Sequence, residues 1–219
     1  MKKNIFLKYY YNVCVIMVNN TGLVPKNGHR IHGRSSESFL DAKEIINSLD
    51  LKGDEVFMDA GCGDGHAAIE ALSILNDDCL VYGVDIYEES IEDLEKYKTE
   101  NNIENVMPLV GDLTSHVDVE DDSIDVILMI NVFHGFKAVE KLDEAVEELK
   151  RMIKPGGKIA IMDYKKQETK YGPPITVRSS PEEIEQLFNK HGLKLLSLDN
   201  ETGEDIEEGK SHYLIIFTK

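Results

Sequence analysis

The sequence predicts an α/β protein of three layers, in which a seven-stranded, mostly parallel sheet is covered by helices on both faces. Two observations lead to this prediction. Short apolar runs alternate with helix-forming segments along the chain, which is typical of parallel strands joined by helical crossovers. The last two apolar runs have only an acidic turn between them, so they should pair with each other and make the last strand antiparallel.

The first half of the chain alternates helix and strand. Apolar residues recur at helical spacing over residues 37–49 and predict a first helix, which Ser35 or Ser36 could cap. Short apolar runs predict three strands, over residues 55–60, 79–84 and 106–110. Helix formers over residues 65–75 and a charged, amphipathic segment over residues 88–101 predict the helices between those strands.

The second half continues the pattern and ends in a hairpin. The run IDVILMI predicts the most apolar strand, over residues 124–130, and the amphipathic segment 138–153 predicts a helix that Lys154-Pro155-Gly156-Gly157 closes. A fifth strand is predicted over residues 158–164. Ser180, Pro181 and Glu183 form a start signal with a capping box for the next helix. The last two strands are predicted over residues 193–199 and 212–218, around the acidic segment 201–209.

Charge and cysteine usage exclude several classes of protein. The 219 residues carry a formal net charge of −17, whereas binding of nucleic acid needs a basic surface, so no nucleic-acid partner is expected. The three cysteines form no C-x-x-C pair, so we expect no disulfide framework or zinc site and a reducing, cytoplasmic setting. Residues 1–18 are too short and polar to span a bilayer and lack a signal-peptide cleavage pattern, so no membrane partner is expected.

We expect residues 1–36 to form an N-terminal extension and possible lid, and residues 37–219 to form a single domain. His29 and His32 lie in the expected lid, but two histidines without a carboxylate or cysteine partner predict no metal site. Arg30 or Arg34 could meet a carboxylate when the lid folds over a ligand.

The segment MDAGCGDGHAAIEAL, from Met58 to Leu72, contains the spacing G-x-G-x-G directly after a predicted strand. The dinucleotide pattern G-x-G-x-x-G would place its third glycine at position 66, where this chain has His66. Asp59 stands two residues before the first glycine, and its carboxylate would repel a diphosphate and attract a cation such as an ammonium or sulfonium. The loop therefore indicates a cationic ligand.

D-A-G-C-G-D-G resembles the first motif of the class I S-adenosylmethionine-dependent methyltransferases, and four further places match in order. The likeness spans roughly residues 37–219 and is closest to the small-molecule branch that includes ubiquinone/menaquinone-type methyltransferases. The further places are Val84-Asp85-Ile86, Gly111-Asp112-Leu113, Asp125–Asn131 with Val132-Phe133-His134, and Lys154-Pro155-Gly156-Gly157-Lys158.

The resemblance implies S-adenosylmethionine as the cofactor and a role for each matching residue. Asp59 would lie near the methionine amino group, Asp85 would accept hydrogen bonds from both ribose hydroxyls, and Ile86 would pack on the adenine. Asp112 would accept from the adenine amino group, with the backbone of Leu113 nearby. Asn131 and Phe133 would line the methionine arm. The implied cofactor-binding set is completed by Ala60, Gly61, Cys62, Gly63, Gly65 and Gly111.

Each of these assignments has a structural alternative. Gly63 and Gly65 could be ordinary turn residues, and Asp85 and Asp112 could cap the ends of their strands. Cys62 is expected to be a small packing residue, since nothing basic flanks it to lower the pKa of its thiol.

Two residues are candidates for catalysis. His134 follows the fourth strand, close to where the methyl group would be, and could act as a general base or only shape the pocket. Tyr164, after the fifth strand, could orient an acceptor or only pack. Lys165, Lys166 and Lys170 could attract an anionic acceptor or simply be solvated.

The resemblance implies transfer of a methyl group by in-line displacement to an unidentified, small-molecule acceptor, by a monomer or a homodimer. A non-catalytic protein that senses the cofactor or binds a partner on the same fold remains open. An aminopropyltransferase is disfavoured, since NVFHGFKAV carries no acid before Glu140, and a nicotinamide oxidoreductase is disfavoured by His66.

Overall fold

The computed structural model describes residues 40–219, which form a seven-stranded sheet with helices on both faces. The predicted fold class is confirmed, including the antiparallel last strand. The elements, in chain order, are α1 (Ala42–Ser48), β1 (Phe57–Ala60), α2 (His66–Ala71), β2 (Val81–Asp85), α3 (Glu88–Glu100), β3 (Val106–Val110), β4 (Ile124–Ile130), α4 (Phe133–Ala138), α5 (Leu142–Met152), β5 (Ile153–Tyr164), a 3₁₀ turn (Ile175–Val177), α6 (Pro181–Lys190), β6 (Lys194–Ile206) and β7 (Gly209–Thr218).

The strand order is β3-β2-β1-β4-β5-β7-β6. β1 pairs in parallel with both β2 and β4, so the order reverses between those two neighbours. β7 lies between β5 and β6 and is antiparallel to both, with Tyr164 opposite His212. Ligands of such sheets bind beyond the carboxyl ends of the strands at the reversal point. The topology therefore predicts a ligand site at the carboxyl ends of β1 and β4.

Each face of the sheet has its own hydrophobic core. Side chains alternate between the two faces along a strand, so neighbouring residues such as Phe57 and Met58 belong to different cores. The core that contains Phe57 packs against α1, α2 and α3. The core that contains Met58 packs against α4, α5 and α6. Both faces are therefore covered, as a mainly parallel sheet requires.

Several boundaries agree with the sequence, and one predicted helix begins too early. The third and fourth strands have the predicted bounds, and the capping box of α6 is present, with Ser180 and Glu183 hydrogen-bonded to each other's backbone N–H. The helix predicted over residues 138–153 is α5, which begins only at Leu142, and the short helix α4 before it was not predicted. Glu140 adopts a left-handed conformation with φ +58° and separates α4 from α5. The helix formers at residues 65–75 are helical only to Ala71.

The acidic segment predicted as a turn extends the last hairpin instead. β6 continues to Ile206 and β7 begins at Gly209, although the pairing is interrupted by shifts of register after Leu195, Asp199 and Thr202. These bulges let a polar, glycine-containing sequence remain paired. Within residues 40–219, no helix combines the length and apolar character needed to cross a membrane. The expected lid, with His29, Arg30, His32 and Arg34, lies outside the described residues, as does Cys14.

Candidate cofactor and acceptor site

The glycine loop of residues 61–65 follows β1 and leads into α2. The N–H groups of Gly61 and Cys62 donate to the carbonyl oxygen of Val84 at 2.7 and 3.0 Å, which fixes the loop against the end of β2. A Cβ at Gly61 would lie 2.4 Å from Cγ2 of Val132, so only glycine fits there. At Gly63, where φ is +52°, an added Cβ would meet no atom within 4 Å. The backbone at Gly63 therefore borders open space.

Asp85, at the end of β2, fastens this loop with its carboxylate. Oδ2 accepts a hydrogen bond from the N–H of Gly63 at 2.8 Å, and Oδ1 accepts one from the N–H of Tyr87 at 2.9 Å. The residue is buried, yet each carboxylate oxygen can accept more than one hydrogen bond. Asp85 thus orders the loop and keeps acceptor capacity for a ligand.

Asp59 lies beneath the same loop, near the end of β1. It is 3% exposed, and its Oδ2 accepts a hydrogen bond from the N–H of Ala68 at 3.0 Å. Burial raises the pKa of this carboxyl to about 7; the hydrogen bond from Ala68 opposes the shift, whereas the nearby carboxylates of Asp85 and Asp64 add to it. A ligand cation placed beside Asp59 would favour the ionised form.

A cleft opens over the loop between β1, α1, α2 and the end of β4. It brings the carboxyl of Asp59 and the backbone of the glycine loop to one surface, together with apolar side chains of α1 and β4. The lining residues are Leu40, Ala42, Ile45, Asp59, Gly61, Cys62, Asp64, His66, Ala67 and Ile130.

The residues expected around the adenine follow β2 and β3. The N–H of Gly111 donates to the carbonyl oxygen of Asp85 at 2.8 Å, which joins the two strand ends. Oδ1 of Asp112 accepts from the N–H and the hydroxyl of Thr114, both at 2.8 Å, so the carboxylate caps its own turn. Leu113 is buried in the core and Ile86 is half-buried.

The two side chains expected along the methionine arm have different surroundings. Asn131 adopts a left-handed conformation with φ +59° at the end of β4, and its side-chain oxygen lies 3.0 Å from Nε2 of His212. Phe133 is 1% exposed, and its ring packs in the core against Phe136 and Phe188. The placement of that ring therefore does not support the expected contact with the cofactor arm.

Two further residues of the expected cofactor-binding set, Ala60 and Cys62, are buried. Ala60 is buried in β1, immediately before the loop. Cys62 is buried too, and burial raises the pKa of its thiol, so this side chain packs and is not a nucleophile. Residues 40–219 contain no group of three or more histidine, cysteine, aspartate or glutamate side chains that could hold a metal ion.

His134 is held by Asp163 across the ends of β4 and β5. Nδ1 of His134 lies 2.9 Å from Oδ1 of Asp163, and the N–H of His134 donates to Oδ2 at 2.9 Å. Burial opposes ionisation of Asp163, but the positive charge of His134 and the hydrogen bonds from its ring, its N–H and the N–H of Tyr164 outweigh it. The pKa of Asp163 is therefore lowered and its carboxylate stays ionised.

Tyr164 is enclosed by aromatic and cationic groups. Its ring centroid lies 4.0 Å from that of His212, and the guanidinium carbon of Arg178 lies 5.0 Å from the ring centroid. The residue is 3% exposed, and burial raises the pKa of the phenol to about 12. These surroundings favour a packing role for Tyr164 and keep its hydroxyl protonated.

Arg178 organises the loop that follows β5. Its guanidinium donates to the carbonyl oxygens of Pro173, Lys165 and Gln167 at 2.8, 3.0 and 2.7 Å and to the hydroxyl of Thr169 at 2.8 Å. Arg178 is buried, and among residues 40–219 it forms no salt bridge with a carboxylate. Of the lysines singled out by sequence, Lys166 pairs with Glu183, and Lys170 lies over the ring of Tyr171.

Sequence reasoning assigned no role to three buried residues of this cluster, which are Asp163, Arg178 and His212. Asp163 lies one residue before the end of a predicted strand, and this position was the only signal that could have found it. Arg178 looks like an ordinary loop residue and His212 like the start of a strand. Apart from the adjacent residues Tyr164 and Ser211, the hydrogen-bond partners of their side chains lie between 5 and 81 positions away in the sequence, so only the tertiary fold reveals them.

The residues of the cleft fit S-adenosylmethionine. A cation and an amino group are matched by the buried carboxylate of Asp59, and ribose hydroxyls are matched by the spare acceptor capacity of Asp85. The open space at Gly63 admits a ligand against the backbone, in the volume that a side chain would fill.

Comparison with known proteins agrees with this fit. The family model described as "Methyltransferase domain" matches residues 51–215. The human tRNA N(3)-cytidine methyltransferase METTL2B is 27% identical over 183 residues, which cover 74% of this chain and 48% of that protein. The demethylmenaquinone methyltransferase of Lactobacillus johnsonii is 23% identical over 121 residues, which cover 55% of this chain and 48% of that protein. The chain thus spans about half the length of these two relatives.

A solved structure supports the fold. The SAM-dependent methyltransferase from Aquifex aeolicus superposes with a TM-score of 0.71 at 24% identity, over 84% of this chain and 93% of that one. The family model agrees with S-adenosylmethionine, the cofactor that the resemblance implies. With the family model covering most of the described residues, the chain belongs to the methyltransferase domain family.

Proposed function

We propose that this protein transfers a methyl group from S-adenosylmethionine to a small-molecule acceptor by in-line displacement. The observation that carries the proposal is the cleft lined by Asp59 and Gly61 at the reversal point of the sheet, beside the loop that the carboxylate of Asp85 holds at the N–H of Gly63. Bound S-adenosylmethionine supplies an activated methyl group on a sulfonium. The chain then contributes mainly alignment, which can lower a barrier by about 7–11 kcal/mol.

We propose the following roles for the site residues. Asp59 receives the amino group of the cofactor, Asp85 the ribose hydroxyls, and Ile86, Asp112 and Leu113 border the adenine. Asn131 borders the methionine arm, and His134 and Tyr164 lie on the acceptor side. The remaining proposed contacts come from the loop and strand-end backbone of Ala60, Gly61, Cys62, Gly63, Gly65, Gly111 and Phe133.

The charge of the chain supports a small molecule as acceptor. The relatives divide between enzymes named for tRNA and enzymes named for demethylmenaquinone. An RNA acceptor would need a positively charged surface along its phosphates, whereas this chain has a net charge of −17. We accordingly propose the menaquinone-type, small-molecule branch, a cytoplasmic location, and residues 1–36 as a lid over the domain of residues 37–219.

A ligand titration tests the proposal. We expect calorimetry to show binding of S-adenosylmethionine and of its demethylated product, and none of NADH, because Asp59 would repel a diphosphate. Absence of binding by the first two ligands would contradict the central proposal. Binding without turnover against any small acceptor would favour the alternative, a protein that only senses the cofactor.

The affinity for S-adenosylmethionine should rise with pH because Asp59 must be ionised to receive its amino group. With a pKa near 7 in the free protein, the carboxylate fraction grows about tenfold between pH 6 and pH 8, and the affinity should follow it. The same raised pKa means that the free native state retains a proton which the unfolded state has lost. The free energy of unfolding of the ligand-free protein should therefore fall as the pH rises from about 4 to about 7.

Calorimetric titrations across this pH range measure the slope. Asp59→Asn should remove it, and Asp54→Asn, a matched change at an exposed position before β1, should retain it. A slope that survives in Asp59→Asn would show that another group controls the pH dependence.

A further inference from the structure

The ends of β4 and β5, the proposed acceptor side, contain a buried carboxylate that contacts an imidazole. Asp163 is 2% exposed and receives three N–H groups, from the backbone and ring of His134 and from the backbone of Tyr164, at 2.7 to 2.9 Å. Among residues 40–219, its only ion-pair partner is His134. The imidazole is therefore the cation that this buried carboxylate is placed to stabilise.

The contact also fixes the tautomer of His134. An ionised carboxylate can only accept hydrogen bonds, so Nδ1 of His134 must carry the proton that points at Asp163. In the neutral ring, Nε2 is then the basic nitrogen. When Nε2 takes up a proton, the positive charge of the imidazolium faces the carboxylate at 2.9 Å. Asp163 therefore orients His134 and stabilises its protonated form.

The second buried histidine of this cluster has the opposite environment. Among residues 40–219, His212 has no hydrogen bond or ion pair with a carboxylate; its Nδ1 lies 2.7 Å from the hydroxyl oxygen of Ser211 and its Nε2 lies 3.0 Å from Oδ1 of Asn131. The hydroxyl of Ser211 also accepts from the N–H of Glu204, which leaves its proton for Nδ1 of His212. Burial lowers the pKa of His212 to about 4, so it stays neutral. Of these two buried rings, His134 alone contacts a carboxylate.

A purely structural role for Asp163 would need fewer contacts than its carboxylate makes. The bond from the N–H of His134 to Oδ2 satisfies an otherwise unpaired donor in the first turn of α4, and alone it would suffice as a cap. The additional contact of Oδ1 with the ring does nothing for the helix. It matters only for the protonation and orientation of His134.

The geometry points to an acceptor that carries an ionisable hydroxyl, whose proton passes to His134 held by Asp163. This inference rests on the proposed methyl transfer. The acceptor oxygen forms a bond to the methyl carbon while the carbon–sulfur bond of the sulfonium donor breaks, and that electron pair stays on sulfur as a thioether. The hydroxyl proton moves to Nε2 of His134, so the products are a methyl ether, a neutral thioether and an imidazolium. Asp163 stays unprotonated.

Two other classes of acceptor would leave this pair without a task. A thiol that is already ionised has no proton to surrender, and a ring nitrogen attacks through a free lone pair. A hydroxyl is a poor nucleophile until its proton is removed, and a positioned base contributes about 10²–10⁴-fold to such a step. Asp163 is a positioning residue in this scheme, because it acts through His134.

Paired acceptors provide the test. The full chain would be assayed with radiolabelled S-adenosylmethionine and phenol, catechol or 2-naphthol, and with the thiols of the same rings at a pH where these are ionised. We expect methyl ethers from wild type. His134→Gln should lower transfer to oxygen by about 100-fold or more while transfer to the ionised thiols changes less than about threefold. Asp163→Asn should lower only the transfer to oxygen, by about tenfold or more.

The controls separate chemistry from folding. His191→Gln removes another histidine that contacts an aspartate, Asp143, at 2.6 Å between α5 and α6, and should leave both transfers unchanged. Nitrogen NMR of wild type should show His134 protonated at Nδ1 when neutral, a readout that needs no acceptor. A ring protonated at Nε2 instead would overturn the inference.

Each of the remaining outcomes would contradict one part of the proposal. Equal loss of transfer to oxygen and sulfur in His134→Gln and Asp163→Asn would mean a structural role and overturn the assignment. Wild type that binds S-adenosylmethionine but methylates none of the hydroxyls would overturn the hydroxyl class. Failure to bind S-adenosylmethionine at all would instead contradict the proposed function itself.

Discussion

Replacing Asp85 with alanine should weaken the binding of S-adenosylmethionine by at least about tenfold, equal to about 1.4 kcal/mol. Two hydrogen bonds from ribose hydroxyls to a carboxylate would contribute about 1.5–3 kcal/mol each, so even partial compensation leaves a large loss. The same substitution also releases the N–H groups of Gly63 and Tyr87, which loosens the glycine loop. The substitution would therefore remove the direct contact with the ribose and loosen the loop at the same time. Calorimetry would measure the loss of affinity.

Two further variants refine this test. Asp85→Asn keeps one oxygen acceptor and should lose less affinity than alanine. Asp93→Ala removes the same charge from an exposed position of α3 and should bind as wild type does. Unchanged affinity in Asp85→Ala would remove Asp85 from the cofactor site.

Gly63→Asn should reduce the affinity for S-adenosylmethionine by roughly ten- to a hundredfold, by filling the space where the cofactor is proposed to lie. Asparagine tolerates the left-handed backbone conformation that Gly63 adopts at φ +52°, so backbone strain alone should be small. A Cβ at Gly63 would meet no atom within 4 Å, so the new side chain has no protein neighbour to displace at its base. Steric overlap with a ligand typically costs about 1–3 kcal/mol.

Gly156 offers a matched control. It too has a positive φ, of +81°, with nothing within 4 Å of an added Cβ, and it is exposed near the start of β5. Gly156→Asn should therefore report the backbone cost alone and leave binding unchanged. Thermal unfolding of both variants gives their stability. Equal affinities in the two variants would mean that the open space at Gly63 is not part of the cofactor site.

The cofactor side was predictable because its signals are local. Gly61, Gly63 and Gly65 lie within one loop, and Asp85 ends a strand that the apolar pattern marks clearly. The alternation of strands and helices was sufficient to predict the parallel sheet and hence the edge at which these residues meet. The local sequence was therefore sufficient to predict the fold class and the proposed cofactor half of the site.

The cluster around His134, which is the proposed acceptor side, was not predictable in the same way. Asp163 reaches His134 because β4 and β5 are neighbours, and His212 reaches Asn131 across 81 positions because β7 is inserted beside β5. Such contacts depend on strand order, which apolar periodicity does not encode. The start of the helix predicted over residues 138–153 was placed four residues too early, because the left-handed turn at Glu140 is not marked by a glycine or asparagine.

The way Arg178 holds the loop after β5 has a consequence for how this protein can change. Three of its four acceptors are backbone carbonyl oxygens, those of Lys165, Gln167 and Pro173, and every amino acid supplies such an oxygen. The shape of the loop is therefore largely independent of the side chains that it displays. Its exposed positions therefore suit diversifying libraries, because their side chains can be exchanged while the backbone contacts of a single arginine preserve the scaffold.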